Sequence, residues 1–183
     1  MNFISFDSIK VPIKYGLGVA FIFSILINIL HIINPGEIQT GQWASYVSVL
    51  LVWMGIYLGM IEKEKLDQDV KMNYLRELKT ALLITVVAAF MMGFFMFVYC
   101  EYINPELVDI IAEKSKEEMR EKGMSVPEIN HALKPVYYHY RTKTQVKNQV
   151  EIGIVGGFIF CLAAPIIRRT FRNNRTYKSD NSF

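Results

Sequence analysis

Four long apolar runs constrain the fold of this 183-residue chain more than any other feature of its sequence. They cover about residues 15–33, 43–61, 80–100 and 150–167, and the only carboxylate among them is that of Glu151, at the start of the fourth run. A helix needs about 17–25 residues to cross a hydrocarbon core of about 30 Å, and every run has this length. The runs lack the polar stripe at 3.6-residue spacing that marks a helix of a soluble protein. We therefore expect an all-α integral membrane protein with four transmembrane helices.

The average composition agrees with this expectation and excludes two other classes of protein. Hydrophobic residues make up 52% of the chain, which is too many for an intrinsically disordered protein. Two cysteines are too few for a small domain held together by disulfide bonds. The net charge of +3 comes from basic residues beside the apolar runs and not from a basic domain, so we expect no nucleic-acid partner.

The distribution of lysine and arginine predicts the orientation of the chain, because short cytoplasmic loops are enriched in these residues. The link between the first two runs, residues 34–42, has neither. Residues 101–149 contain eight basic residues, but eight acidic residues balance them, so this segment gives no contrary signal. The other basic residues lie before the first run, between the second and third runs, and after the fourth: Lys10, Lys14, Lys63, Lys65, Lys71, Arg76, Lys79, Arg168, Arg169, Arg172, Arg175 and Lys178. We therefore expect a multi-pass protein with both termini in the cytoplasm, where residues 168–183 form a basic tail.

Residues 104–149 form a small segment that this orientation places on the extracytoplasmic side, between the third and fourth helices. Asn104 and Pro105 predict the start of a helix, since asparagine is a good N-cap and proline suits the first helical position. Gly123 predicts its end. We therefore expect the segment to be helical rather than an irregular loop.

A second short helix is predicted within the same segment. Residues 125–128 have the capping-box pattern, and we expect Pro135 to end this helix. Residues 137–140, Tyr-Tyr-His-Tyr, follow directly. Tyrosine is enriched at membrane surfaces, so these residues suit an interfacial belt, and a contact patch for carbohydrate or peptide is the alternative.

Each apolar run carries small residues at four-residue spacing. Within lipid, such residues allow helix backbones to approach closely, so they predict helix-packing faces. These residues are Gly16, Ala20, Ser24 and Asn28 in the first run, Gly55 and Gly59 in the second, Ala89 and Gly93 in the third, and Gly153 and Gly157 in the fourth. They suit a compact four-helix bundle and would equally suit dimerisation with a second copy of the chain.

Four polar residues lie where the predicted orientation places the outer ends of the helices: His31, Cys100, Glu101 and Glu151. Ionisable groups within a membrane are functional candidates, so these residues would suit a metal or proton-relay site if they met. The alternative is that each separately reaches water or lipid headgroups. No two of them share a close metal-ligand spacing within one helix, and the sequence has no Walker, Rossmann, HExxH or GxSxG pattern. We therefore expect no catalytic residues, no cofactor and no metal.

The chain resembles a bacterial membrane family through its residues 13–17, Ile-Lys-Tyr-Gly-Leu, and 102–107, Tyr-Ile-Asn-Pro-Glu-Leu. This family is number 4199 in the series of domains of unknown function. The resemblance extends over nearly the full length of the chain. It includes the order and spacing of the four apolar runs, the charged link after the second run, and the Asn-Pro-led stretch after the third. Residues 72–78 depart from it, since they lack a glycine before the third helix. The resemblance implies the inner membrane of a Gram-negative bacterium and no particular activity.

Together, these observations favour a non-enzymatic inner-membrane protein. We expect its partners to be the lipid bilayer and other membrane proteins, or a second copy in a homodimer, and its role to be that of an accessory or assembly subunit of an envelope complex. A small transporter or channel is the alternative, with a conduit lined by Asn28, Thr85 and the outer set of His31, Glu101 and Glu151. A membrane-embedded enzyme that acts on lipid is a third hypothesis, which requires His31, Glu101 and Glu151 to lie within reach of one another.

Overall fold

The computed structural model describes residues 6–33, 38–66 and 73–180, and the regular structure within these ranges is entirely helical. It comprises six α-helices: α1 (Phe6–Ile33), α2 (Ile38–Leu66), α3 (Tyr74–Val98), α4 (Leu107–Glu121), α5 (Val126–Tyr140) and α6 (Thr142–Asp180). Four of these helices are long and apolar enough to cross a membrane, over Ile9–Ile33, Trp43–Leu66, Tyr74–Ile103 and Thr142–Thr170. The expectation of an all-α chain with four such helices is therefore confirmed.

Helix α3 lies at the centre of the packing and contacts α1, α2 and α6, with its most extensive contact against α6. Helix α2 also contacts α1 and α6. The side chains between these helices are apolar, and Val52, Ile56, Ile84 and Met92 are fully buried. Large apolar side chains also cover the outward surface, including Phe21, Phe90, Phe94 and Phe158. An exposed apolar surface of this extent is what a bilayer would cover.

The long helices have two chemically different ends. We call the first the basic end; it is formed by the start of α1, the end of α2, the start of α3 and the Arg168 region of α6. We call the second the capped end; there α4 and α5 connect α3 to α6. A π-helical turn, Tyr99–Ile103, extends α3 toward the cap.

Helices α4 and α5 pack against each other as an antiparallel pair around Ala112, Ile129 and Leu133. The turn between them uses Gly123 at φ 75°, a conformation that glycine adopts without steric cost. The backbone N–H and the hydroxyl of Ser125 both donate to Glu128 Oε2, at 2.8 and 2.6 Å. The predicted glycine stop and capping box are therefore confirmed.

Three boundaries of the segment between α3 and α6 differ from the sequence expectation. Helix α5 continues through Pro135 to Tyr140. Proline cannot donate a backbone hydrogen bond, but the packing of Val136 and Tyr140 against the main core offsets this loss. Helix α4 begins at Leu107, since Pro105 and Glu106 form a turn and the Asn104 amide donates to the Tyr99 hydroxyl instead of capping.

The third difference concerns α6, which starts at Thr142 and continues to Asp180. Residues 142–149 thus belong to the spanning helix and not to the separate segment, and residues 168–180 of the basic tail are helical. A polar stretch can extend a spanning helix beyond its apolar part, because a helix satisfies its own backbone hydrogen bonds both in lipid and in water.

Candidate functional site

The main candidate site is a cavity of about 400 Å³ at the capped end, between the spanning helices and the cap. We call it the cap-side cavity. Helices α1, α2, α3 and α6 form one part of its wall, and α4 and α5 form the other. Its volume lies within the range of about 300–1,000 Å³ that is typical of small-molecule sites.

Much of the lining of the cap-side cavity is apolar. Ile27, Ala44, Met96, Leu107 and Ile111 line it, and all five are buried members of the main core. The polar side chains that line it are His31, Ser45, His139, Tyr140, Gln145, Asn148 and Gln149. Among the described residues, its lining includes no aspartate, glutamate, lysine or arginine. The cavity therefore combines apolar walls with uncharged hydrogen-bonding groups.

His31 has a fixed orientation at the edge of this cavity. Its Nδ1 lies 2.9 Å from the backbone carbonyl of Ile27, so Nδ1 carries the proton in this contact. Its ring packs against that of Tyr99, with 5.0 Å between the ring centroids. Because Nδ1 is engaged, Nε2 is the ring nitrogen that can bind a further partner, and in the neutral ring it is an acceptor.

Helix α6 contributes an amide face to the cavity, since Gln145, Asn148, Gln149 and Ile152 follow the spacing of one helix face. The Gln145 amide donates to the His139 carbonyl at 3.0 Å. The buried Gln149 amide lies 3.9 Å from Met92 Sδ, a weak acceptor. In the sequence, the signal that could indicate this face is a set of amides at helical spacing just before an apolar run.

Tyr140, the last residue of α5, also lines the cavity. Its ring is half-buried, and the ring of His139 meets it edge-on at 5.1 Å. Burial raises the pKa of the Tyr140 phenol above its ordinary value of 10.0. The hydroxyl therefore stays protonated and can donate a hydrogen bond into the cavity.

The four polar residues predicted near the helix ends have different surroundings. Of these four residues, His31 lines the cap-side cavity, whereas Cys100, Glu101 and Glu151 do not. Cys100 is a buried free thiol, and Glu101 is exposed. Glu151 is exposed and lies 3.6 Å from Lys147 in an ion pair. Within residues 6–33, 38–66 and 73–180, no three His, Cys, Asp or Glu side chains come together as a metal site.

A cluster of ion pairs lies at the basic end. The Arg168 side chain, which is only 10% exposed, donates to the Met60 carbonyl at 2.9 Å and pairs with Glu64. It also lies 3.8 Å from the carboxylate of Glu77, whose side chain is 1% exposed. Arg169 lies 3.6 Å from the same carboxylate. This cluster connects α6 to α2 and α3.

A second ion pair at the basic end connects α1 to α2. The Lys14 ammonium lies 2.7 and 2.9 Å from the two carboxylate oxygens of Glu62, and the Tyr15 hydroxyl donates to the same carboxylate at 2.8 Å. In the sequence these basic residues indicated only the orientation of the chain. Their partners could not be identified there, because each lies on a different helix.

Between the two ends, the helices are closely packed. Thr85 Oγ1 and Cys161 Sγ lie 3.2 Å apart and form a buried hydrogen bond between α3 and α6. The Trp53 indole N–H donates to the Gly156 carbonyl at 2.9 Å, and its ring stacks on that of Phe160. A side-chain carbon added at Gly157 would lie 2.5 Å from Thr85 Cγ2. These contacts leave little space between α2, α3 and α6.

The small residues named in the sequence lie mostly at contacts between helices. Gly16 faces Val87, Gly55 faces Val19, Gly59 faces Ile84, Gly93 faces Val150, Gly153 faces Ala89, and Ala20 is buried. Ser24 and Asn28 are half-buried, and each donates to a carbonyl of its own helix, four residues earlier. Close approach is therefore most extensive between α3 and α6.

An apolar groove runs along the outward surface between α1 and α3, and we call it the α1–α3 groove. It has a volume of about 360 Å³ and is lined by Leu17, Ala20, Phe21, Ser24, Met91, Phe94, Phe95 and Val98. All of these residues lie within the segments of α1 and α3 that could span a membrane. The groove would therefore face the hydrocarbon region.

Four long apolar helices, of which α1, α2 and α6 pack around α3, define a multi-pass membrane protein with apolar side chains on its outward surface. The model of the family described as "Protein of unknown function (DUF4199)" matches residues 14–169, so the chain belongs to this family and the resemblance noted in the sequence is confirmed. Comparison with curated proteins gave no match, and neither did comparison with solved structures.

Proposed function

We propose that this chain is a non-enzymatic subunit of a larger assembly in the inner membrane of a Gram-negative bacterium. In this proposal the four long helices form a four-helix bundle in the bilayer. Both termini and the basic end lie in the cytoplasm, and α4 and α5 lie on the extracytoplasmic side. The link at residues 34–42, which has no lysine or arginine, supports this orientation, since cytoplasmic loops are enriched in these residues. Residues 101–149 contain eight basic and eight acidic residues, so they carry no net positive charge that would oppose it.

The observation that carries the subunit proposal is the α1–α3 groove. Its rim consists of large apolar side chains, with Phe21 at 67% and Phe94 at 61% exposure, while Ala20 on α1 is buried. Transmembrane helices associate through such complementary shapes, because apolar side chains alone gain little by leaving lipid for protein. We therefore propose that a helix of a partner protein packs into the groove.

A transporter or channel is the rival proposal, and the close packing between the helix ends gives it less support. A conduit lined by Asn28 and Thr85 would need polar groups directed into an open space. Instead, Asn28 donates to the Ser24 carbonyl and Thr85 bonds to Cys161. A lipid-acting enzyme has less support still, since Glu101 and Glu151 are exposed and do not line the cavity that His31 lines.

Purification of the full chain in mild detergent, followed by mass spectrometry of co-purifying proteins, tests the subunit proposal. We expect a stoichiometric partner, lost on Phe94→Ala or on Ser24→Leu, which would fill the groove. Phe158→Ala on α6 is the matched control, because Phe158 is exposed on the outward surface but lies outside the groove. The proposal would be contradicted if the chain reproducibly purified without a partner protein, or if all three variants lost the partner equally.

A further inference from the structure

We propose that the cap-side cavity binds an uncharged amphiphile, a molecule whose polar part carries hydroxyl or carbonyl groups and whose remainder is apolar. This inference is independent of the subunit proposal, because it concerns a different surface. It rests on the lining of the cavity, on its depth relative to the spanning helices, and on the hydrogen-bonding groups that face it.

The absence of ionised side chains from the described lining selects an uncharged ligand. A carboxylate or phosphate buried in this cavity would lose its hydration without gaining a lysine or arginine partner, which is strongly unfavourable. Within the described lining, a cationic ligand would equally find no carboxylate. A neutral polar group needs only hydrogen bonds, and the cavity provides them.

The groups available for these bonds include both donors and acceptors. His31 presents Nε2, since its Nδ1 is already bonded to the Ile27 carbonyl. The Tyr140 hydroxyl is a donor, and the half-buried Asn148 amide can both donate and accept. A ligand hydroxyl or carbonyl could therefore be satisfied from α1, α5 and α6 together.

The position of the cavity selects an amphiphile over a fully polar solute. Ile27 and Met96 lie within the segments of α1 and α3 that could cross the bilayer, whereas Val136 and Tyr140 belong to the cap. The cavity thus lies at the level where hydrocarbon gives way to headgroups. A molecule that partitions to this level, with its apolar part against Ile27, Met96 and Ile111 and its polar part against His31 and Asn148, matches this mixed lining.

Photo-crosslinking of the full chain in phosphatidylcholine nanodiscs tests this inference with dioctanoylglycerol as the uncharged probe. A photoreactive dioctanoylglycerol should label peptides that contain residues 145–152 of α6, and unlabelled dioctanoylglycerol should displace it. Dioctanoyl phosphatidate has the same acyl chains and an anionic head, so we expect it to compete at least about tenfold less well.

Asn148→Leu keeps the approximate size of the side chain and removes its amide, so labelling should fall by about tenfold. Ala44→Phe would fill part of the cavity and should abolish labelling. Asn130→Leu is the matched control, since Asn130 is exposed on α5 outside the cavity, and it should leave labelling unchanged. Any of three results would overturn the inference. The label could spread evenly over all four spanning helices, or dioctanoyl phosphatidate could compete as well as dioctanoylglycerol. The third such result is equal labelling of the Asn148→Leu and Asn130→Leu proteins.

Discussion

The guanidinium of Arg168 lies 3.8 Å from the carboxylate of Glu77, and both side chains are almost completely withdrawn from the surface. The two residues come from different spanning helices, α6 and α3. Removing Arg168 would leave the buried Glu77 carboxylate with Arg169 as its cationic neighbour at 3.6 Å, and breaking a buried ion pair typically costs about 3–5 kcal/mol. The stability of the basic end should therefore depend strongly on Arg168.

We expect Arg168→Met to lower the free energy of unfolding by about 3–5 kcal/mol, as measured by denaturation in mixed micelles. The double variant Glu77→Leu/Arg168→Met should recover part of this loss, because the buried carboxylate is removed as well. Lys147→Met is the control: it removes a pair in which both side chains are more than half exposed, so its effect should stay below about 1 kcal/mol. A double variant less stable than Arg168→Met alone would refute this account.

Substitution of Gly157 tests the close approach of α6 to α3. An added side-chain carbon would lie 2.5 Å from Thr85 Cγ2 and 3.1 Å from Val52 Cγ1, so Gly157→Ala should destabilise the protein by about 1–3 kcal/mol. Gly18→Ala makes the same chemical change where nothing lies within 4 Å, and it should be nearly neutral or slightly stabilising. Equal effects of the two substitutions in thermal unfolding would show that α3 and α6 are less closely packed.

The hydrogen bonds at the start of α5 predict a pH dependence for the cap. The Ser125 hydroxyl and backbone N–H lower the pKa of Glu128 below its ordinary value of 4.5. Because the folded-state pKa is depressed, these bonds contribute stability above the unfolded-state pKa, and this contribution is lost as the pH falls through the folded-state value.

Ser125→Ala should raise the pKa of Glu128 toward 4.5, as followed by NMR titration of the carboxyl carbon. Glu113 provides an internal control, since its lowered pKa comes from Lys116 and should not respond to the substitution. An unchanged titration of Glu128 would mean that the hydroxyl does not stabilise its carboxylate.

The two buried cysteines make the proposed orientation testable by thiol labelling. Cys100 and Cys161 are both withdrawn from the surface, so the unmodified chain should react little with an impermeant maleimide. Lys134→Cys, exposed on α5, should be labelled in intact spheroplasts, whereas Lys65→Cys, exposed at the end of α2, should be labelled only after the membrane is permeabilised. The reverse pattern would invert the proposed orientation.

The four spanning helices could be predicted from the sequence because each is specified by a continuous local run of apolar residues. The capping box and the glycine turn were predictable for the same reason, since each depends on residues close together in the chain. The passage of α5 through Pro135 was not predictable, because it depends on packing of Val136 and Tyr140 against the main core.

The ion-pair cluster and the cap-side cavity, at the two ends of the long helices, were harder to predict from the sequence. In the sequence, Glu77 and Arg168 are two charged residues far apart in the chain. Their contact forms only when the fold brings α3 and α6 together. The cap-side cavity is formed by several helices, so the sequence could indicate His31 but could not show which other residues it meets. Contacts between distant elements depend on helix rotation and tilt, which apolar runs do not specify.

Helix α6 joins these two ends in a single uninterrupted element. Gln149 in the cavity wall and Arg168 in the ion-pair cluster lie about 28 Å apart along it, at about 1.5 Å per residue. A helix transmits axial displacement along its length, and Pro165, which lacks a backbone N–H, is a natural point for it to bend. A shift of α6 along its axis at the cavity is therefore expected to change the distances from Arg168 to Glu64 and Glu77, which would link the cavity to the ion-pair cluster.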